Sequence, residues 1–537
     1  MSVSQSVAAI LGERVTLEVE SIDRLYLNVY VPTLQRVGGV GGFFRAGRGA
    51  TFASSALMEP ITTAFVTALE RFAQTEGVPL LTFAHGQRKD EGAHEYLATF
   101  QGHEGVLFIG KAQEKATVWR TERRYNAQTG QPYAWLVTST ALVNQYYIYA
   151  VDADFGPFFL TFCSYVPYNA KLCLNGHEYL KRQLTAEGIT FEALDNGLLS
   201  CADPTRMQAL CAGLDAPRID GLLRKWLARV PHPFTPEERE AGFRYDISIL
   251  HAEFALTQVL DRPLTGRILC AEIIRENLDV GRPSQVQLIF GRRVTTQTTA
   301  RHRFRTRVIT QGVIPSLYAD YKHRRIKQYH KEGRALRTET PINDTRDVAI
   351  GTRLHTLPAL RSVGFQANRR LLDVQHLSHD CLLGEDAFRQ VTRPQVVGDQ
   401  RVAALPFADP RVQALLSVLV LYCLLPNGFA NRDLRAYLAP LLGLEPSHLT
   451  PGRMTYALRR LRLHGLSARI PHTQRYRVTR EGLRTALFFT RVYGRILRPG
   501  MARSTPAAAA GDPALRPSFD QLEDASDRWI DQAKLAA

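Results

Sequence analysis

The hydrophobic and polar positions of the chain follow two different periods. Residues 14–32 (RVTLEVESIDRLYLNVYVP) alternate apolar and polar side chains, as expected of a β-strand with one buried face. Residues 57–77 place apolar side chains three and four positions apart, as an amphipathic helix does. Both kinds of segment alternate through the first third of the chain. Residues 134–167, rich in aromatic and β-branched side chains, form its most strand-like part.

Changes of composition divide the chain into domains. At 537 residues it is too long for one hydrophobic core. The predicted fold class is α+β (mixed α/β) and multidomain, and no repeat of 20 to 50 residues is visible. The proline-bearing link at 231–240 and the loss of pattern beyond Gly500 set the boundaries. We expect a strand-rich α/β N-terminal domain (1–232), an α+β central domain with a basic sheet (241–400), a helix-rich C-terminal domain (405–500) and a disordered tail (501–537).

Positive charge is concentrated in two stretches of the chain. The formal net charge is +16 and the sequence pI is about 9.6. Residues 301–337 contain eleven Lys and Arg against two acidic residues, and residues 453–498 contain twelve Arg against one. Local cationic patches of this kind indicate a surface that binds a polyanion, of which nucleic acid and anionic membranes are the usual examples.

Composition also indicates the compartment. The seven cysteines lie mostly in apolar surroundings without a CxxC pair, which is typical of reduced thiols. The first twenty residues lack the basic and apolar regions of a signal peptide. The longest apolar run, residues 412–426, is too short to cross a bilayer and predicts a buried helix. We therefore expect a cytoplasmic protein with no membrane partner, and the oligomeric state stays open.

The order of elements in the C-terminal domain resembles a winged helix-turn-helix module. Three helical patterns, the last of them RMTYALRRLRLHGL, precede a strand, the turn PHTQR, the strand YRVT and a final helix. The resemblance rests on RRLRxHGL followed by an arginine-bearing hairpin and then T-x-x-G. It implies a DNA-binding domain whose third helix enters the major groove and whose hairpin forms the wing.

Arginines are the predicted contacts of this module. Those on helix 453–465 face away from its apolar side, where guanidinium groups can pair with phosphates or guanine edges. Those on the wing can follow the neighbouring backbone or minor groove. Duplex DNA is the expected partner, and RNA or a docking protein are the alternatives, since basic winged helices serve those roles too. The predicted binding residues are Arg453, Arg459, Arg460, Arg462, Arg469, Arg475 and Arg477.

The first basic stretch, residues 302–344, interleaves cations with tyrosines in a β pattern. Aromatic rings on a sheet can stack on bases while cations hold the backbone, which favours single-stranded or deformed nucleic acid. A solvated sheet face is the alternative. The predicted binding residues here are Arg303, Arg305, Lys322, Arg324, Arg325, Lys327 and Lys331.

Within this stretch, IKQYHKEGRALRTET resembles a strand of plasmid and phage replication initiators that nick DNA. The matching positions are Lys327, Tyr329, Lys331, Arg337 and Glu339. The resemblance implies Tyr329 as a catalytic nucleophile. The HxH metal motif that accompanies such a strand is missing from the sequence.

Asp152 and Asp154 in YAVDADFGPF are the candidates for metal-dependent catalysis. Two positions apart at the end of a strand, they would point to one face, as carboxylates that bind Mg²⁺ do. Glu178 or Asp195 could complete such a site, and two-metal nucleases are built in this way. The alternative is a turn in which the aspartates bond local amides. Mg²⁺ is therefore expected only if the protein is a nuclease, and no other cofactor is indicated.

Three further motifs are more ordinary. The glycine-rich residues 37–49 lack the spacing of a phosphate-binding loop and predict a mobile loop. The HxxH spacing in QHLSHDC is better explained as a helix end, since zinc needs further ligands. A histidine after a strand in AHGQRKDE is usually in a solvated turn. The residues concerned are His376, His379, Asp380 and Cys381 in the second motif and His85, Arg88, Lys89 and Asp90 in the third.

The chain from about residue 14 to 500 resembles a widespread bacterial protein family that brings no assigned activity. The resemblance rests on YAVDADFGPFFLTF, NGHEYLKRQL, ALDNGLL, RTETPIND and NRRLLDVQ. The sequence thus predicts a bacterial nucleic-acid-binding protein, in the setting of a mobile element or replicon. A metal-dependent nuclease or nicking enzyme targeted by the winged helix, and an RNA-binding accessory protein, are the alternatives.

Overall fold

A computed structural model describes residues 13–493 and Ala525. The segments within that range that lie outside the described residues are 51–53, 85–86, 88, 195, 264, 267–268, 270–286, 291–304, 312–313, 322–323, 332–333, 380–382 and 423–427. The predicted tail at 501–537 also lies outside the described residues, apart from Ala525. The fold is mixed α+β, as the sequence predicts.

The strands are numbered in chain order. They are β1 (Val15–Tyr30), β2 (Leu80–Thr82), β3 (Gly105–Tyr125), β4 (Pro132–Asp152), β5 (Gly156–Cys163), β6 (Ala170–Asn175), β7 (Phe191–Leu194), β8 (Gly197–Cys201), β9 (Asp246–Leu260), β10 (Gln287–Phe290), β11 (Arg305–Gln311), β12 (Ile314–Tyr321), β13 (Arg324–Lys331), β14 (Ala335–Ile342), β15 (Gln395–Val397), β16 (Gln400–Val402), β17 (Ser467–Arg469) and β18 (Tyr476–Val478).

The α-helices are numbered in the same way. They are α1 (Val37–Gly42), α2 (Ser55–Glu76), α3 (Lys89–Thr99), α4 (Gly176–Ala186), α5 (Pro204–Ala212), α6 (Ala216–Leu227), α7 (Pro236–Glu240), α8 (Leu357–His379), α9 (Glu385–Thr392), α10 (Pro410–Tyr422), α11 (Asn431–Leu441), α12 (Pro451–Leu463) and α13 (Arg480–Val492).

One sheet of twelve strands organises the molecule, in the order β10-β11-β12-β13-β14-β9-β1-β6-β5-β4-β3-β2. Its centre is the antiparallel pair β1 and β9, which joins residues 15–30 to residues 246–260. The predicted N-terminal and central domains therefore contribute strands to the same sheet. The link at 231–240 contains α7, which begins at a Thr235–Glu238 capping box.

The strand order of this sheet is duplicated. In each half a long central strand pairs with the last strand of an antiparallel series, β1 with β6 and β9 with β14. The two series are β3 to β6 and β11 to β14. At the outer edge of each series a short strand pairs in parallel with its first strand, β2 with β3 and β10 with β11. The two halves meet at the antiparallel β1–β9 pair, so the strand order has approximate two-fold symmetry about the centre.

Helices cover the two faces of the sheet unequally. One face, which we call the inner face, packs against α2, α6 and α8. Phe65 of α2 contacts Phe162 of β5, and Trp226 of α6 contacts Phe158 of the same strand. The outer face is covered by α3 at β3 and β4, where Tyr96 meets Phe108, and by α4 and α5 near β1. Within the described residues, no helix is both long and apolar enough to cross a membrane.

Candidate nucleic-acid interface

The residues from 410 to 493 pack as one module, which we call the C-terminal module. Helices α10, α11, α12 and α13 surround an apolar core that includes Leu434, Leu458 and Leu487. The β17–β18 hairpin follows α12, and Phe429 forms a bridge to Tyr476 that adds a third short strand segment to it. The order is therefore helix, strand segment, helix, helix, hairpin and helix.

Local sequence signals set the ends of these helices. The Thr450 hydroxyl accepts from the amide of Arg453 at the start of α12, where Pro451 occupies the first turn. The Thr479 hydroxyl accepts from Gly482 at 2.9 Å and donates to the Gly465 carbonyl at 2.6 Å. Gly482 is needed for packing, because a Cβ there would lie 1.9 Å from the Leu466 carbonyl oxygen. These contacts place α13 directly against the hairpin.

The arginines of α12 divide into two pairs. Met454, Leu458 and Leu461 turn one side of the helix into the core. Arg453 and Arg462 are exposed. Arg459 is half-buried and approaches Gln400 of β16 at 3.5 Å, whereas Arg460 donates to the Ala404 carbonyl. Arg453 and Arg462 are thus the two predicted helix contacts that stay exposed, and their spacing of nine positions places them on opposite flanks of the apolar side.

The hairpin arginines divide in the same way. Arg477 is exposed, and Arg469 is exposed while its Nε donates to the Thr473 carbonyl at 2.9 Å. Arg475 turns inward, donates to the Gly428 carbonyl at 2.6 Å and lies 3.7 Å from Asp433. The prediction of Arg475 as an outward contact is therefore wrong: its side chain ties the hairpin to the start of α11.

The apolar core of the C-terminal module extends to residues that precede the predicted domain boundary at residue 405. This core continues through Leu405 into Phe388 and Val391 of α9 and Leu371 of α8, and α8 lies on the sheet. The buried His464 contacts the carbonyl oxygens of Gln390 at 3.2 Å and Ala403 at 2.9 Å. Removal of the preceding residues would expose this core, so binding is best tested on the whole chain.

The first basic stretch forms strands β11 to β14. Their register aligns Arg307, Tyr318, Lys327 and Glu339 in a row across four strands. The Lys327 ammonium lies 4.1 Å from the centre of the Tyr329 ring, and Lys331 is half-buried at the end of β13. Arg303 and Lys322 lie outside the described residues, as do the side chains of Arg305, Arg324 and Arg325.

A buried network centred on Arg337 joins the two halves of the sheet. Arg337 on β14 is fully buried and pairs with Asp23 on β1 at 2.6 Å and with Glu339 at 2.5 Å. It also donates to the Asn196 carbonyl, next to the β7–β8 hairpin. His177, at the start of α4, lies 3.0 Å from Asp23. Burial alone would raise the pKa of Asp23, but the hydrogen bond from His177 and the charge of Arg337 hold it well below its usual range.

The network resembles a catalytic triad only in composition. Ser21, His177 and Asp23 follow one another through contacts of 3.5 Å and 3.0 Å. His177 Nε2 lies 3.0 Å from the Asp23 carboxylate and 2.9 Å from the Arg337 guanidinium, so an acceptor and a donor compete for one ring nitrogen. Ser21 and His177 are only 2% and 1% exposed, which leaves a substrate no access to the hydroxyl. Burial lowers the pKa of His177, and the arrangement supports a structural role.

Tyr329 belongs to the same network. Its hydroxyl donates to Glu339 at 2.7 Å, and burial together with the Glu339 charge raises its pKa well above the ordinary tyrosine value. A nucleophilic phenolate needs the opposite shift. Tyr329, Arg337 and Glu339 are brought together as the initiator-like motif suggests, but in a form that does not favour nicking.

Asp152 and Asp154 do not form a metal site. Asp152 is buried, and one of its oxygens accepts from the amides of Asp154 and Phe155 at 2.9 and 3.2 Å. The other accepts from Lys225 and Trp226, both at 2.8 Å. Asp154 is exposed in the following turn. The prediction that both point to one face is wrong because β4 ends at Asp152, which caps the turn.

Of the two further candidate ligands, the structure describes Glu178. Glu178 pairs with Lys181 at 2.8 Å. Among the described residues no three His, Cys, Asp or Glu side chains are placed to hold a metal ion. Several candidates, or their side chains, lie outside the described residues, namely His85, Arg88, Asp90, Asp195, His376, His379, Asp380 and Cys381.

No protein-family model, curated protein or solved structure matches the chain. Sequence reasoning missed Asp23 and His177, the two titratable network residues outside the basic stretch. The signal for His177 was NGH directly after a strand: Asn175 caps α4 by accepting from the amide of His177 at 2.9 Å. Nothing in the sequence indicated that Asp23 is buried, because a single acidic residue in an alternating strand pattern is expected on the solvent-exposed face.

Proposed function

We propose that the protein binds nucleic acid, and specifically duplex DNA, through the C-terminal module acting as a winged helix. Helix α12 would enter the major groove, and the β17–β18 hairpin would form the wing. The observation that carries the proposal is the combined exposure of Arg453 and Arg462 on α12 with Arg469 and Arg477 on the hairpin. Guanidinium groups in these positions can pair with phosphates and guanine edges.

The charge of the module supports a polyanionic partner. Residues 446–480 contain eight arginines and no acidic residue. Only some of these arginines are used inside the fold, as Arg460 and Arg475 are. An arginine-rich surface with few carboxylates attracts anionic ligands, and phosphates in a regular row are suited to it.

The basic strands β11–β13 form the second part of the proposal. They would hold a further segment of the same nucleic acid. Lys327 and Tyr329 lie on β13, the strand of the three that pairs with β14. The setting of a mobile element or replicon stays a prediction. The contacts of Asp152 and the raised pKa of Tyr329 argue against the nuclease alternative.

The proposal is tested by fluorescence anisotropy of a labelled mixed-sequence duplex titrated with the full chain. The double variant Arg453→Ala and Arg462→Ala should weaken binding at least tenfold, since one good arginine contact contributes about 1–3 kcal/mol. The matched control replaces two exposed arginines far from the module, Arg36→Ala and Arg71→Ala, and should bind like the wild type. Equal affinity of both variants would contradict the assignment. A preference for structured RNA at equal salt would favour the RNA alternative.

A further inference from the structure

Strands β3 and β4 extend beyond the sheet as a two-stranded arm. Both have 21 residues, and their pairing runs without interruption from Phe108–Tyr149 to Tyr125–Pro132. Strand β5 pairs with β4 only from Gln145 onward. The arm is fixed at its middle, where the Trp119 indole donates to the Leu34 carbonyl at 2.8 Å and Leu136 is buried. Beyond the Thr121–Leu136 pair, four residue pairs project for about 13 Å.

The tip of this arm is a hydrogen-bonded turn with exposed side chains. The Asn126 side chain accepts from Gln128 at 2.8 Å, and Gly130 supplies the positive φ of the turn. Three aromatic side chains lie open to solvent: Tyr125 is 63% exposed, Tyr133 44% and Trp135 42%. Aromatic side chains this exposed bury little apolar surface in the fold, which points to a contact with another molecule.

Arginines accompany these rings. The Arg124 guanidinium lies 5.2 Å from the centre of the Trp135 ring, and Arg123 lies 5.8 Å from that of Tyr125. Arg120 pairs with Glu122 at 2.8 Å, and Glu122 is the one acidic residue between Arg120 and Trp135. The projecting tip therefore has a net positive charge, with its guanidinium groups held beside aromatic faces rather than by carboxylates alone.

We propose that this arm is a second duplex-DNA-binding element, which lies in a groove of DNA bound by the C-terminal module. A two-stranded β-ribbon fits the width of the major groove. Arginines on both of its faces can reach the two flanking phosphate backbones, while Tyr133 and Trp135 supply apolar contact with base edges. The proposal rests on the function proposed above, because it assigns a further surface to the same ligand.

The test uses two variants of the full chain. In one, residues 122–135 are replaced by Asn-Gly, which suits a two-residue turn because Thr121 and Leu136 are directly paired. The other is Arg124→Ala with Trp135→Ala. Both should bind a duplex roughly tenfold more weakly than the wild type, which corresponds to about 1.4 kcal/mol, and the first should protect a shorter stretch of DNA in footprinting. The matched control, Arg71→Ala with Leu57→Ala, removes an exposed arginine and an exposed apolar side chain of α2 and should bind normally.

The outcomes separate the two proposals. If the wild-type chain binds no duplex, both proposals fail. If it binds and loses affinity with Arg453→Ala and Arg462→Ala, while the arm variants keep the wild-type affinity and footprint, only the arm proposal is overturned. A change of oligomeric state on tip replacement, measured by sedimentation, with unchanged DNA binding would assign the arm to a second copy of the chain and would also overturn it.

Discussion

Replacement of Arg337 by methionine should destabilise the sheet more than any surface substitution. The methionine keeps most of the volume and removes the charge. Arg337 is fully buried and bonds two carboxylates on different strands and one carbonyl. Its removal leaves the largely buried Asp23 and Glu339 without their cation. Breaking a buried ion pair from one side costs about 3–5 kcal/mol, and we expect a loss of that size in the free energy of unfolding.

Urea denaturation followed by tryptophan fluorescence measures this loss. Trp119 and Trp226 are buried in the core under the sheet and report on its unfolding. The control is Arg346→Met, an exposed arginine just beyond β14, which should change stability by less than about 0.5 kcal/mol. A cycle with Asp23→Asn should show coupling, because the double variant no longer buries the carboxylate that Arg337 neutralises.

The pH dependence of the loss gives a second check. Asp23 has a lowered pKa in the fold, so its stabilising contribution is complete above its unfolded pKa of about 3.9 and disappears as the pH falls through the folded value. Without Arg337 this contribution is missing at neutral pH. The difference between wild type and variant should therefore be largest near pH 7 and shrink below about pH 4. A loss of less than about 1 kcal/mol at pH 7 would refute the structural role of the network.

Three further predictions concern single residues. In His177→Gln, stability should fall less steeply below pH 6.5 than in the wild type. Burial lowers the pKa of His177, so in the wild type the unfolded chain takes up this proton before the folded chain does. The same pH dependence of the urea midpoint in wild type and variant would contradict this. Asp152→Ala should lower the melting temperature without removing any Mg²⁺-dependent cleavage, since Asp152 bonds Lys225 and Trp226; loss of such cleavage in a stable variant would restore the nuclease hypothesis. Gly482→Ala should destabilise the C-terminal module by about 1–3 kcal/mol, because the new Cβ meets the Leu466 carbonyl; an unchanged thermal melt would contradict the close packing.

Local patterns predicted the elements of this chain better than their assembly. Alternation over 14–32 corresponds to β1, and Asp203 before Pro204 caps α5 as predicted. Periodicity carries such information because it depends on neighbours within a turn or a strand. The pairing of β1 with β9 joins residues more than two hundred positions apart, and no local signal specifies it. The duplicated strand order was invisible for the same reason.

The glycine-rich stretch at 37–49 shows how distant contacts override local preference. Its composition predicts a mobile loop, but residues 37–42 form α1 and a π-helical turn follows at Phe43–Gly47. Phe43 is buried against Phe234 and Phe243, nearly two hundred residues away. Burial of this ring offsets the low helix propensity of the glycines.

The exposure of the candidate arginines was only partly predictable from the sequence. The apolar side of α12 predicted that its arginines avoid the core, and Arg453 and Arg462 are exposed. Arg460 and Arg475 turn inward because carbonyl acceptors at Ala404 and Gly428 lie beside them, and those acceptors come from other segments. Helical periodicity describes one element and carries no information about such neighbours.

The salt dependence of duplex binding tests the central claim most directly. If arginines of the C-terminal module neutralise phosphates, the logarithm of affinity falls linearly with the logarithm of salt concentration, with a slope of about 0.9 per neutralised phosphate. The variant Arg453→Ala and Arg462→Ala should then reduce this slope by about two relative to the full wild-type chain. A slope that is the same in the wild type and the variant would contradict the account.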